Sequence, residues 1–141
     1  MSTAFNPHLY HTDVIAWAEQ QARLLRAGQF LELDIKHLVC EVEDIAKAEQ
    51  RELARRMIVL LTSLLKWQIQ CEHRGSSWRN TIAAQRRALA LRIQRTPSLT
   101  ITLRDPDWWA QTWADAVAQA TAETGFGKFP PACPWRIDVI L

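Results

Sequence analysis

Asp34, His37 and Glu41 carry donor types that hold metal ions, and spacings of three and four set them on one flank of a helix. Bundles that bind two irons need more: Glu-x-x-His on two helices and further glutamates from two others. Here a single D-x-x-H stands on its flank with Glu52 beyond it, and the other close histidine pair, His8 and His11, lies near the terminus. A solvated flank is the plainer reading, and no metal or other cofactor is expected. Cys71 and His73 hold the types for a thiolate–imidazole pair. Two residues apart on a helix, they point in roughly opposite directions, whereas catalysis needs them within hydrogen-bond reach. No catalytic residue is assigned on these grounds.

The remaining candidates are charges in unusual places. Glu49 and Arg56 project where an apolar seam calls for leucine or isoleucine, and Gln85 falls within a second seam with Arg86 on its edge. Brought together, the four would form a buried carboxylate–guanidinium–amide cluster, and removing one partner would cost on the order of 3–5 kcal/mol. The segment from 66 to 95 is also basic: Lys66, Arg74, Arg79, Arg86, Arg87, Arg92 and Arg95 against Glu72. Such an excess can contact phosphates, and a glycine-turned corner is reminiscent of a helix-turn-helix. Arg79, Arg86 and Arg87 share one flank, however, while Arg92 and Arg95 take the other. Arginines so divided more often neutralise an acidic neighbour or lie over core edges.

Punctuation sets the elements that must position these groups. Glycine and proline cluster at a few places, leaving long unbroken stretches that read as four helices. The first runs over about 12 to 27, with Thr12 as its cap and Gly28 as its stop. The second is long, about 33 to 72. The third begins at Ser76 or Ser77 as N-cap and ends before Pro97. The fourth opens at Asp105-Pro106, a capping side chain followed by proline at the first helical position, and stops at Gly125. A Pro-rich tail, KFPPACPW, leads to a short terminal turn. The fold class is all-α, a bundle with one long central helix and an antiparallel hairpin about Gly75, in one domain over 1–141.

At about 100° per residue, Ile35, Leu38, Val42, Ala46, Leu53, Met57, Leu60, Leu64 and Trp67 form one seam of the long helix. From Met57 onward that helix is apolar all round (Ile58, Val59, Leu61, Leu65, Ile69), which implies burial at the bundle centre or at a subunit interface. Trp67 and Trp78 are seam residues on adjacent helices. In the fourth helix Trp109 and Trp113 share a core face with Val117 and Ala120, and Trp108, about 100° away, points to solvent.

Bulk properties exclude several classes. The 141 residues are 48% apolar and 23% charged, an ordinary globular composition. A net charge of +2 gives no general reason for a polyanionic partner. Three cysteines without C-x-x-C spacing suggest neither a disulfide framework nor a zinc knuckle, so a reducing cytoplasm is expected. The N-terminus lacks the pattern of a secretory signal, and the apolar run MIVLL is far short of the roughly 20 residues that span a membrane.

The segments DVIAWAEQQARLLRAGQFLELDIKHL, LLKWQIQ, SWRNTIAAQRR, TPSL and ETGFGKFPPACPW, in this order, resemble the bacterial domain of unknown function 29 family, known chiefly from cyanobacteria and proteobacteria. The resemblance covers nearly the whole chain. It implies a small, almost wholly helical protein and supplies no catalytic residue. The chain departs from that family's pattern at Ser63, where histidine is usual, at Cys71, where proline is common, and at Ala46, where glycine is common. The reading these observations favour is a helical protein-interaction or scaffold module, a homo-oligomer held by the apolar half of the second helix or by the Trp-rich fourth. The alternative is a nucleic-acid-binding protein using Arg74, Arg79, Arg86 and Arg87. An enzyme using Glu49, Arg56, Gln85 and Arg86, or a metal on the Asp34 flank, ranks third.

Overall fold

A computed structural model describes residues 8–70 and 75–141 of the chain. Helix forms wherever glycine and proline are missing. The elements are α1 (Leu9–Thr12), α2 (Val14–Arg26), a 3-10 turn (Phe30–Glu32), α3 (Ile35–Ile69), α4 (Ser76–Arg95), α5 (Leu99–Thr102), α6 (Pro106–Thr124) and α7 (Ile137–Ile140). Among the described residues there is no strand, and no helix is long and apolar enough to cross a membrane. The all-α expectation holds. Cys71, Glu72, His73 and Arg74 lie outside the described residues.

Local chemistry fixes the ends. Asp13, not Thr12, caps α2: its carboxylate accepts from Ala16 N at 3.1 Å, while Thr12 closes the preceding turn with its hydroxyl on the His8 carbonyl. Gly28 (φ +71°) and Gly125 (φ +75°) stop α2 and α6 in the left-handed region that side chains rarely adopt. Asp105 accepts from Asp107 N and Pro106 opens α6, as the sequence predicts. No serine caps α4. Gly75 occupies the cap position in extended conformation and Ser76 is already helical.

The residues fall into two compact units, one up to Lys47 and one from Ala48, with the division inside α3. In the first unit the buried apolar side chains are Trp17 and Leu24. The second holds the core: Leu53, Met57, Leu60, Leu61 and Leu65 of α3, Ile82 and Leu89 of α4, Leu99, Trp113, Ala116 and Ala120 of α6, and Ile140. The apolar half of α3 therefore sits at the centre of its own bundle. Each of its buried leucines contributes about 1.5–3 kcal/mol by leaving water. Alanines at 116 and 120 let the α6 backbone approach α3, where buried Thr62 donates its hydroxyl to the Ala116 carbonyl at 3.4 Å. The α3–α4 hairpin is antiparallel. Glu49 meets Arg92 far from the turn, while near it Lys66 covers Trp78 and Arg79 covers Trp67.

The Pro-rich tail returns over this core. Trp113 Nε1 donates to the Pro130 carbonyl at 2.9 Å and stacks edge-to-face with Trp135, while Ile140 is buried. The tryptophans that open α6 are all engaged: Trp109 Nε1 donates to the Leu103 carbonyl and Trp108 Nε1 to that of Gln50. Trp108 is half-buried against the core rather than pointing to solvent, because the start of the second unit's α3 segment passes over it.

Candidate functional site

The charges that interrupt the α3 seam do meet α4, but with other partners than their order suggests. Arg92 Nη1 donates to Glu49 Oε2 at 2.7 Å, and Arg56 Nε reaches Glu52 Oε1 at 3.1 Å. Glu52 is the hub: Arg55 chelates it with two nitrogens at 2.6 and 2.8 Å, and Arg92 Nη2 approaches at 3.8 Å. The Arg55 hydrogen bond, backed by the charges of Arg55, Arg56 and Arg92, outweighs desolvation and holds the Glu52 carboxyl at about 2. These groups are part-exposed, so their Coulomb energy is largely screened. Glu49, Arg56, Arg92 and Arg95 line a small polar hollow of about 340 Å³.

Gln85 and Arg86 belong elsewhere. The Gln85 Oε1 atom is buried with no hydrogen-bond partner among the described residues. Arg86 Nε donates to the Ile140 carbonyl at 2.8 Å and Nη2 to that of Val139 at 3.4 Å, tying α4 to the tail. The four residues singled out in the sequence thus divide between a carboxylate network and a tail clamp. Nearer the turn, Arg79, Arg86 and Arg87 rim a second hollow of about 530 Å³, floored by Leu64, Trp67, Ile82 and Ala83.

The D-x-x-H flank is not solvated. Asp34 is 8% exposed and takes the N-cap position of α3, its carbonyl accepting from Leu38 N at 2.9 Å. Its carboxylate accepts from Trp17 Nε1 at 2.9 Å and pairs with His37 Nδ1 at 2.7 Å, while Gln21 Oε1 accepts from Asp34 N at 2.8 Å. Tyr10 stacks on His37 with centroids 4.1 Å apart and donates to Glu41 Oε1 at 2.6 Å. That bond, then desolvation and the carboxylate charge, push the Tyr10 hydroxyl up to about 12. The three candidate ligands are engaged in a knot joining α1, α2 and α3 within the first unit. Among the described residues no three His, Cys, Asp or Glu side chains are grouped to hold a metal ion.

Only the front of the long seam departs from its expected burial. Ile35, Val39, Val42 and Ile45 are 57, 48, 65 and 67% exposed, although their spacing is that of a packed helix face. The first unit also exposes Val14, Ile15, Leu25, Phe30 and Leu31. Sequence periodicity marked Ile35 and Val42 as core because it registers a stripe but not what covers it. Of the described cysteines, Cys40 is exposed on α3, and burial pushes the Cys133 thiol up.

The chain is all-α among the described residues, with a well-packed second unit and a first unit rich in exposed apolar side chains. The chain belongs to the family described as Domain of unknown function DUF29, whose model matches residues 9–141. No curated protein and no solved structure matches it.

Proposed function

We propose that the protein is a helical interaction module that self-associates through the front half of α3. One observation carries this reading: Ile35, Leu38, Val42 and Ile45 recur at intervals of three, four and three on one helix face, with Val39 beside them, and all but half-buried Leu38 are exposed. This is the alternation that seats one helix against another. The first unit buries Trp17 and Leu24 while exposing nine large apolar side chains, five of them on α2 and the 3-10 turn and four on α3.

The occupant we infer is a second copy of the same face. Two α3 segments crossing antiparallel about a twofold would set Leu38 against the second copy's Val42, and Ile35 against its Ile45. The twofold repeats both contacts at the other end. The stripe can thus meet a second copy of itself with apolar side chains on both sides. The apolar half of α3 and the tryptophans of α6, which the sequence also offered as interfaces, are engaged in the protein's own core. Light scattering across a concentration series tests the reading: mass should rise toward that of a dimer, and a monomer at every concentration refutes it.

A further inference from the structure

The arginines of the α3–α4 hairpin divide into two groups. Far from the turn, Arg55, Arg56 and Arg92 answer to Glu49 and Glu52. Near the turn, Arg79, Arg86 and Arg87 form no ion pair with any described carboxylate. Arg86 is held by two backbone carbonyls, which fix its guanidinium without pairing it to a described carboxylate. Arg79 lies over the Trp67 ring, 5.7 Å from its centroid. These three guanidiniums share the rim of one hollow of about 530 Å³ whose floor is Leu64, Trp67, Ile82 and Ala83. Among the described residues no acidic side chain lines it. Like charges on a common rim repel one another, and that repulsion is relieved by an anion that can accept from several forks at once, which suits a phosphate better than a carboxylate. The floor beneath is apolar and includes an indole with a guanidinium plane over it, a surface suited to a flat aromatic ring. The volume lies within the range of small-ligand sites.

We infer that this hollow binds a nucleoside phosphate, either as a free nucleotide or as a unit of a single strand, with the base on the Trp67–Ile82 floor and the phosphate held by Arg79, Arg86 and Arg87. The site shares no residue with the proposed α3 dimer face, so the two readings stand or fall separately.

The test is equilibrium binding at low salt with adenosine, inorganic phosphate, AMP and a fluorescein-labelled uridine oligomer. AMP or the oligomer should bind more tightly than adenosine or phosphate alone. The oligomer binding without AMP would identify the strand as the source, and comparable binding of both would identify the nucleotide unit. The exposed-residue variant R79Q/R87Q should weaken binding about tenfold or more, from the loss of two charge-assisted contacts. R95Q, which removes a charge from the far end of the same helix, should leave it within about twofold. Circular dichroism of each variant checks that it is folded. Binding of neither AMP nor the oligomer overturns the inference. So does an equal loss in R95Q, or phosphate alone binding as tightly as AMP. Anionic vesicles binding where nucleotides do not would also overturn it.

Discussion

Replacing Asp34 by alanine removes the residue on which the first unit turns. Its carboxylate is the acceptor for the buried indole N–H of Trp17, the partner of His37 Nδ1, and a weak cap on His37 N at 3.4 Å. Losing a helix N-cap costs about 1 kcal/mol. Leaving the Trp17 donor unpaired in a buried site costs about 1–3 kcal/mol more. D34A should therefore destabilise the first unit by about 2–4 kcal/mol. Amide hydrogen exchange is the appropriate assay, because it reads α2 and the first turns of α3 apart from the second unit, where Leu53 to Leu65 serve as an internal control. D34N keeps an oxygen for Trp17 and should cost less. It should also remove a pH dependence. Burial pushes the Asp34 carboxyl up, but hydrogen bonds from His37 and Trp17 outweigh it, so the folded pKa lies below the ordinary value. The resulting stabilisation is complete above the unfolded pKa of about 4 and is lost as pH falls through the lower folded value. Unchanged exchange in D34A, or an acid limb that survives in D34N, would refute the knot.

Two further substitutions probe the second unit. Gln85→Met keeps the side-chain length and removes a buried oxygen without a partner among the described residues. It should raise the melting temperature, by the equivalent of about 1–3 kcal/mol, and a fall would show that the oxygen is satisfied in solution. Arg86→Ala strands the Val139 and Ile140 carbonyls. A loss of about 1.5–3 kcal/mol is expected, with earlier proteolysis of the tail, and unchanged cleavage there would argue against the clamp.

Much of the fold was legible because it rests on local chemistry. Gly28, Gly125 and the Asp105-Pro106 pair stop and start helices by backbone conformation and capping alone, and these boundaries match. The cap positions that shifted, Asp13 for Thr12 and Gly75 for the serines, moved by one or two residues, within the ambiguity of neighbouring cap-forming residues. What the sequence could not convey was pairing across elements. Glu52 looked like one more charge on an exposed flank, yet it receives three arginines, because the antiparallel register brings Arg92 from forty residues away. Asp34 read as solvated because its partner Trp17 lies on another helix. The signal was present all the same, since an aspartate just before a helix is a cap candidate and a nearby indole needs an acceptor. Ile35 and Val42 show the converse error: their periodicity is real, but periodicity is shared by core faces and by interfaces.

An exposed stripe of this kind is an interface only if a second copy covers it. The direct measurement is sedimentation equilibrium on the wild-type protein and on V42K. Val42 lies close to the proposed twofold, so each dimer of V42K would lose two buried valines, about 1.5–3 kcal/mol apiece, and gain two apposed lysines. Its association should weaken at least about a hundredfold. A wild-type monomer at every concentration, or a dimer that V42K leaves intact, would contradict the assignment of α3 as the face through which this protein pairs.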